Sequence, residues 1–226
     1  MTVDRPQLMV GIALLCFPRQ WLRRGPAHSK RRRRSSPADD RVVDPWKTQE
    51  PGDPHVDFRV EFTKFRNYID LFRSGVGGLA IWGGLDITPA LLAEAGAPKS
   101  VSHQILWLQC AIAVLGLLFQ VMRFERVRIS FFPPIFYLAG LSVGMCGASA
   151  AAFAFALIWA INSGLGNAQA FMAIYAVMLY VFGGLFVSFL HVPAMVAGVL
   201  ALLPVLLSLL TKRPLLIFTR RSSRKG

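Results

Sequence analysis

Long apolar stretches interrupted by short polar turns occupy the second half of the chain. Residues 104–211 carry four formal charges, and all of them fall between Arg123 and Arg128. A stretch of this length without polar surface is typical of helices that cross a lipid bilayer. Small and polar residues at 162–167 interrupt it. The pattern predicts four transmembrane helices, over residues 104–122, 131–161, 168–190 and 193–210.

A different pattern precedes these spans, at residues 58–73. Apolar side chains recur there at intervals of three or four residues, and charged side chains fill the positions between them. The apolar positions are Phe58, Phe62, Phe65, Ile69 and Phe72. The charged pairs with helical spacing are Glu61–Lys64, Arg66–Asp70 and Asp70–Arg73. The pattern predicts an amphipathic interfacial helix, which either lies at the headgroup boundary or docks its apolar face on the bundle.

Residues 74–103 are rich in glycine and do not follow either pattern. Their glycines interrupt a short apolar run that ends at Asp86. Irregular backbone at membrane depth has to be shielded by protein. We therefore expect a re-entrant or interfacial segment here, and the alternative is a fifth crossing.

The N-terminal residues 1–57 are predicted to form a disordered tail that is basic and rich in proline. Eight Lys or Arg residues lie between positions 19 and 34, where they repel one another. Within the tail, the apolar run Leu8–Phe17 has about half of the length that a bilayer crossing needs. It resembles the apolar core of a signal peptide, but no small-x-small cleavage site follows it. Residues 212–226 form a second basic tail.

The composition supports a membrane protein. Hydrophobic residues make up 54% of the 226 residues and charged residues 16%, and the mean hydropathy is +0.48. Soluble domains carry about 25% charged residues, so an ordinary soluble domain is excluded. The predicted fold class is an all-α membrane protein with about four transmembrane helices, or five if the glycine-rich segment crosses. The amphipathic helix and the disordered basic tail precede them.

The net charge of +13 changes the expected partners. In a membrane protein, a basic excess reflects the positive-inside bias and attraction to anionic headgroups. The expected partners are therefore the bilayer with its anionic headgroups, and a second copy of the chain or another membrane protein. Nucleic acid is not expected, because no basic stripe lies on a soluble module.

The basic segments also predict the orientation. The N-terminal arm and the C-terminal tail both favour the cytoplasm, which requires an even number of crossings. Four crossings of the cytoplasmic membrane satisfy this requirement, although they leave the loop Arg123–Arg128 outside. We therefore expect both termini in the cytoplasm.

One series of small residues points to helix packing. It recurs at every fourth position of the predicted second span. Its members are Gly140, Gly144, Ala148, Ala152, Ala156 and Ala160. A ridge of small side chains lets another helix approach closely, where van der Waals contact drives association in lipid. We predict that this ridge is the packing centre, with either an internal helix or a second copy as its partner.

Few polar residues lie in or beside the apolar stretches. Asp86 either binds a proton or a cation, or stays hydrated at the end of an interfacial segment. His191 is either a proton relay or part of a turn before Pro193. The three cysteines lie far apart, which argues against a disulfide framework or a zinc site.

Catalytic, cofactor-binding and metal-binding constellations are not predicted. No two histidines are close enough in sequence for a helix-borne metal pair, paired carboxylates are missing from the membrane region, and the sequence has no phosphate loop. The favoured function is a non-enzymatic membrane subunit or assembly factor that acts through helix packing. One alternative is a small channel or carrier for an apolar or weakly polar solute, with the glycine-rich segment as its broken helix. The other is a lipid-modifying enzyme that holds headgroup phosphate with Arg123, Arg126 and Arg128.

Overall fold

A computed structural model describes residues 5–18, 56, 58–84, 99–124, 129–188, 191–212 and 215. These residues are almost wholly helical. The α-helices are α1 (Arg5–Cys16), α2 (Phe58–Phe62), α3 (Phe65–Gly84), α4 (Lys99–Val121), α5 (Ile135–Cys146), α6 (Ala148–Ile161), α7 (Ala168–Phe186) and α8 (Val192–Thr211). Two short strands, β1 (Met122–Phe124) and β2 (Ile129–Phe131), pair antiparallel into a ribbon between α4 and α5.

Among the described residues, three helices are long and apolar enough to cross a membrane. They include the stretches Gln104–Val121, Ala168–Phe186 and Val192–Thr211. Three of the four predicted spans therefore correspond to α4, α7 and α8. The predicted polar turn precedes α7 as a short 3₁₀ helix, Asn162–Gly164. Asn167 then caps α7, since its Oδ1 accepts a hydrogen bond from the backbone nitrogen of Ala170 at 2.7 Å.

The predicted span 131–161 is wrong as a single helix. Its residues form α5 and α6, which have 12 and 14 residues and are joined by Gly147. Gly147 has φ 83° and ψ 158°, a backbone conformation that is essentially restricted to glycine. The chain reverses there. Each half is shorter than the roughly 20 residues that a crossing needs.

The predicted boundary at residue 73 does not coincide with the end of a helix. Helix α3 continues from Phe65 through the glycine-rich run to Gly84, and residues 99–103 belong to α4. The glycines are helical because other helices pack on them. Leu15 of α1 lies against Gly77, and the carbonyl of Leu141 in α5 lies against Gly78. Residues 85–98 of the predicted re-entrant segment lie outside the described residues.

The predicted disordered tail contains a helix, α1. The helix packs against α3 and α4, with Leu15 fully buried and Leu8 and Ile12 partly buried, while Met9 and Val10 are exposed. The rest of the predicted N-terminal tail, apart from residues 17, 18 and 56, lies outside the described residues. So does most of the C-terminal tail, of which Leu215 forms a bridge with Phe131 of the ribbon.

Successive long helices run in opposite directions, from α1 and α3 through to α8. Residues that are in contact lie at matching ends of antiparallel neighbours. Helices α1 and α3 meet at Leu15–Gly77 and Gly11–Ile81, and α3 and α4 meet at Arg73–Gln120 and Ile81–Gln109. The end of α4 meets α5 and the residues before it at Gly116–Tyr137 and Val121–Phe132, and α5 meets α6 at Phe136–Trp159. The contacts are Phe153–Phe186 and Trp159–Phe171 for α6 and α7, and Gly183–Ala194 and Gln169–Ser208 for α7 and α8.

These directions define two ends of the bundle. Helices α1, α4, α6 and α8 all finish at one end of the bundle. We name it the ribbon end, because the β-ribbon follows α4 there. The opposite end, where α5 meets α6, is the Gly147 end. Arg5 lies at the Gly147 end and Thr211 at the ribbon end.

Aromatic side chains fill the core at the ribbon end. The rings of Phe62 and Phe171 both lie 5.1 Å from that of Trp159, edge to face. Below this cluster, the side-chain nitrogen of Asn162 donates to the carbonyl of Val56 at 2.7 Å. The short helix α2 is thereby attached to α6 and α7.

Candidate functional site

Over most of its length helix α3 buries its polar side and exposes its apolar side, although Ile81 and Trp82 near its end are buried. Asp70 and Arg73 are 2% and 6% exposed, whereas Phe65 and Phe72 are 75% and 74% exposed. The expected alternative in which the apolar face docks on the bundle therefore does not fit α3. Of the predicted ion pairs, Glu61–Lys64 and Asp70–Arg73 form. The second of these pairs is the start of a buried polar cluster.

We name this cluster the polar junction and define it by the side chains of Asp70, Arg73, Gln120 and Tyr137. Arg73 is at its centre. Its Nε donates to Oδ1 of Asp70 at 2.9 Å, and one terminal nitrogen donates to Oε1 of Gln120 at 2.7 Å. The junction thus joins α3 to α4 inside the bundle, near the ribbon end.

The other donors of the polar junction point at the last turn of α1. Arg73 donates through its second terminal nitrogen to the carbonyl oxygens of Phe17 and Leu14. The side-chain nitrogen of Gln120 donates to the same carbonyl of Phe17 at 3.0 Å. Three side-chain bonds therefore reach the end of α1 from α3 and α4.

Tyr137 adds a contact from α5. Its hydroxyl donates to the carbonyl oxygen of Leu15 at 3.2 Å, and its ring lies under the guanidinium carbon of Arg73, 5.6 Å from the ring centroid. An arginine over an aromatic face is attracted by the ring's quadrupole, and the attraction is larger where water is excluded. The end of α1 is consequently held by three helices.

Two glycines make room for α1 beside the junction. A Cβ on Gly116 of α4 would lie 2.6 Å from the hydroxyl of Tyr137 and 3.1 Å from the carbonyl oxygen of Leu15. A Cβ on Gly77 of α3 would lie 2.9 Å from the side chain of Leu15. Any larger residue at either position would push α1 away from its donors.

The electrostatics of the site match what it binds. The last carbonyls of a helix have no partner within the helix, and the C-terminal end carries a partial negative charge. Arg73 supplies a positive charge and several donors to that end, and Asp70 balances the charge. The junction is therefore chemically suited to holding a helix end.

A second feature is an open apolar groove on the outer surface between α3, α5 and α6. Its volume is about 420 Å³. Glycine and alanine side chains form much of its lining, with larger apolar side chains on both sides. The lining residues are Leu71, Phe72, Gly75, Val76, Leu79, Ala139, Gly140, Val143, Ala148, Ala151, Ala152 and Phe155.

The break at Gly147 divides the predicted ridge of small residues. Gly140 and Gly144 face α3, where a Cβ on Gly144 would lie 2.7 Å from the carbonyl oxygen of Gly78. The remaining members belong to α6 and are exposed; they are Ala148, Ala152, Ala156 and Ala160. The structure therefore brings the glycine half into an internal contact and leaves the alanine half facing outward.

The polar candidates do not lie together. His191 directly precedes α8 at the Gly147 end, where its carbonyl accepts the hydrogen bond of the Ala194 backbone nitrogen at 3.0 Å. It occupies the turn between α7 and α8. Arg123 pairs with Ser130 in the ribbon at the opposite end. Three further candidates, Asp86, Arg126 and Arg128, lie outside the described residues.

Metal and cofactor ligands do not cluster in the part of the chain that the structure describes. No three His, Cys, Asp or Glu side chains there lie close enough to hold a metal ion. The three cysteines, which all fall within the described ranges, are free thiols, and that of Cys146 is buried. The polar junction is a buried group of polar side chains that joins α3, α4 and α5.

Sequence reasoning found the Asp70–Arg73 pair but assigned it to an exposed helix face. Gln109 and Gln120 gave a signal that could have corrected this, because a glutamine in an apolar helix needs a hydrogen-bond partner. The carbonyls of α1 gave no signal, since a backbone group has no sequence signature. Comparison of the chain with family models, with curated proteins and with solved structures found no match.

Proposed function

We propose that the chain is a non-enzymatic integral membrane protein that acts as a subunit or an assembly factor through contacts between helices. The observation that carries the membrane part of the proposal is the arrangement of α3. Its ion pair is buried while Phe65, Phe72 and Leu79 are exposed. Water would favour the reverse arrangement, whereas hydrocarbon favours polar groups that are paired inside the bundle.

The distribution of charge supports an orientation with the ribbon end in the cytoplasm. Of the 25 Lys and Arg residues, ten lie in residues 19–55, three in 123–128 and six in 212–226. Each of these segments joins helices at the ribbon end or leaves from it. Arg5 and Lys99 are the two at the Gly147 end. A positive-inside bias of this size favours a cytoplasmic ribbon end.

The proposed orientation removes the cost of the four-crossing arrangement. That arrangement left the arginines of the loop after α4 on the outside. With α4 and α8 both finishing at the ribbon end, this loop and the C-terminal basic segment share one side. The N-terminal end of α1 is then on the opposite side of the membrane. We propose the cytoplasmic membrane as the location.

The interaction role is supported by what remains exposed. The alanine series of α6 continues the apolar groove along the outer surface, and small side chains of this kind allow close approach of a helix in lipid. The polar side chains of the junction, by contrast, are already bonded to α1. The surface that is available for a partner is therefore apolar, and its donors and acceptors are few.

The experiment is purification through a C-terminal tag in mild detergent, followed by mass spectrometry and native size determination. We expect a stoichiometric partner, which is either a second copy or another membrane protein. The matched variants are Ala152→Leu and Phe153→Leu, at neighbouring exposed positions. A152L should reduce the recovered partner several-fold while it keeps the wild-type melting temperature. F153L, which loses a ring contact with Phe186 inside the same chain, should leave the recovered partner unchanged.

The proposal would be overturned by a lone monomer, both in mild detergent and in nanodiscs formed directly from the membrane. Two outcomes would point to the alternatives. Solute flux in proteoliposomes would favour a carrier, although the glycine-rich residues 75–84 lie in a continuous helix rather than a broken one. Lipid turnover that is lost on Arg126→Ala would favour a lipid-modifying enzyme.

A further inference from the structure

We infer that the polar junction is a binding site for the C-terminal end of α1, and that α1 stays in the mature protein as a helix held by this site. The partner is a segment of the same chain, the apolar helix α1, whose last carbonyl oxygens accept their hydrogen bonds from the junction. The binding surface is formed by α3, α4 and α5.

The carbonyl oxygens at the end of α1 need hydrogen-bond donors from outside the helix. A helix leaves its last carbonyl oxygens without internal partners, and in an apolar environment each of them needs a donor. The carbonyls of Leu14, Leu15 and Phe17 all have one. The donors come from three different helices, so this arrangement is a receptor for a helix end rather than a local cap.

The surface of α1 also fits the surface of the bundle in shape. Gly77 and Gly116 line the path of α1, and both would collide with Leu15 if they carried a side chain. On the other side of the contact, a Cβ on Gly11 of α1 would lie 2.8 Å from the side chain of Ile81. Leu15 itself is completely buried. The surfaces of α1 and of the bundle therefore fit each other closely.

Without α1, buried donors of the junction would lose their acceptors. Arg73 is 6% exposed with α1 in place, and one of its terminal nitrogens donates to the carbonyls of Leu14 and Phe17 at the end of α1. Removing the helix would leave that nitrogen and the hydroxyl of Tyr137 without acceptors in an apolar cleft. Unpaired buried donors are costly, and those of a charged group are the most costly.

This inference distinguishes α1 from a cleaved leader. The apolar run Leu8–Phe17 has the length of a signal-peptide core, and such a core leaves the protein once it has been cut. A leader has no reason to fit a buried arginine and two glycines on helices that follow it by more than 50 residues. The contacts of α1 are those of a permanent member of the bundle.

The test separates the non-covalent site from the covalent connection. A recognition sequence for a specific protease is inserted between Ser35 and Ser36 of the full chain, which is purified in mild detergent and immobilised by a C-terminal tag. The protein is then cut, and the release of the fragment that contains α1 is followed during washing. In parallel, the intact mass is measured for uncut protein that carries no tag at its N-terminus.

We expect the intact mass to include residues 5–18 and the cut fragment to stay bound through hours of washing. Arg73→Met removes the hydrogen bonds that Arg73 donates to Leu14 and Phe17, while it keeps the approximate length of the side chain and leaves the bond from Gln120 to Phe17 in place. It should release the fragment about tenfold faster or more, since hydrogen bonds from a charged donor are the strong ones. Arg66→Met is the matched control on the same helix and should leave the release rate unchanged.

Gln120→Leu provides a second variant in case R73M does not fold. It keeps the Asp70–Arg73 pair and removes one donor to Phe17, so we expect release that is several-fold faster than for the wild type. The inference is overturned if the mature protein starts beyond residue 18. It is also overturned if the wild-type fragment leaves at the first wash, or if every variant that folds releases it at the wild-type rate.

Discussion

The guanidinium of Arg73 donates a hydrogen bond to the side-chain oxygen of Gln120 at 2.7 Å, across 47 positions of the sequence. The same two side chains also donate to one carbonyl oxygen, that of Phe17. Three segments that are far apart in the chain therefore meet at a single backbone group. Removing any one of them leaves polar groups of the others buried and unpaired.

The first prediction concerns the charge of Arg73. Arg73→Met leaves Asp70 buried without its counter-ion, and we expect a loss of about 3–5 kcal/mol in the free energy of unfolding. Lys64→Met removes the cation of a more exposed pair, and we expect a loss of about 1 kcal/mol or less. Thermal or chemical unfolding of the two variants in detergent measures both.

A double variant divides this effect into its parts. Asp70→Leu combined with Arg73→Met removes both charges, so the uncompensated carboxylate is gone while the carbonyl of Leu14 still lacks its donor from Arg73. We expect it to be more stable than R73M alone and less stable than the wild type. Equal stability of the double variant and R73M would show that the ion pair is irrelevant.

The sequence predicted that α3 is amphipathic but not which side faces inward. Periodicity identifies an apolar face and a polar face, and its sign depends on the surroundings. In water the apolar face is buried; in hydrocarbon the polar face is. Asp70 and Arg73 were therefore correctly paired and wrongly placed on the exposed side. The carbonyls that Arg73 binds belong to residues 56 and 59 positions away, which no local pattern reveals.

The second prediction tests the close contact between α3 and α5. A Cβ on Gly140 would overlap the carbonyl oxygen of Leu71 and the hydroxyl oxygen of Ser74. Gly140→Ala should therefore push the two helices apart and lower the free energy of unfolding by about 1–3 kcal/mol. Gly164→Ala is the matched control, because a Cβ there would have no neighbour within 4 Å. A stable G140A would mean that the helices are not this close.

The third prediction concerns the reversal at Gly147. A Cβ on this residue would meet nothing within 4 Å, so a substitution acts only through the backbone. At φ 83° and ψ 158° a side chain is strained, and Gly147→Ala should cost about 1–3 kcal/mol. Gly166→Ala, which also has open space around it, should be close to neutral. Similar stabilities of G147A and G166A would argue for a continuous helix through residue 147.

The helices α4, α7 and α8 were predictable and the α5–α6 reversal was not, for one physical reason. Where a helix ended, the sequence carried polar or capping residues such as Asn162 and Asn167. Around Gly147 it carries small apolar residues that suit a helix as well as a break, and glycine is common inside membrane helices. The regular spacing of Gly140 to Ala160 therefore resembled one ridge, although its two halves lie on helices that run in opposite directions.

The last prediction concerns the side of the membrane on which the segments between helices lie. Single cysteines at Glu125 and Glu94, in a chain from which the three native cysteines have been removed, are labelled in intact cells with a reagent that does not cross the membrane. In the sequence, Glu125 falls between β1 and β2, which follow α4 at the ribbon end, and Glu94 falls between α3 and α4, which end and begin at the Gly147 end. We expect Glu125→Cys to be labelled only after the cells are opened and Glu94→Cys to be labelled from outside, because the positive-inside bias keeps the ribbon end in the cytoplasm.

A third cysteine that replaces Ser222, beyond α8, is the internal control: it should behave like the one at position 125, since α4 and α8 finish at the same end. Labelling of positions 125 and 222 from opposite sides would contradict the antiparallel order of the helices, whereas labelling of both from outside would leave that order intact and reverse the proposed orientation.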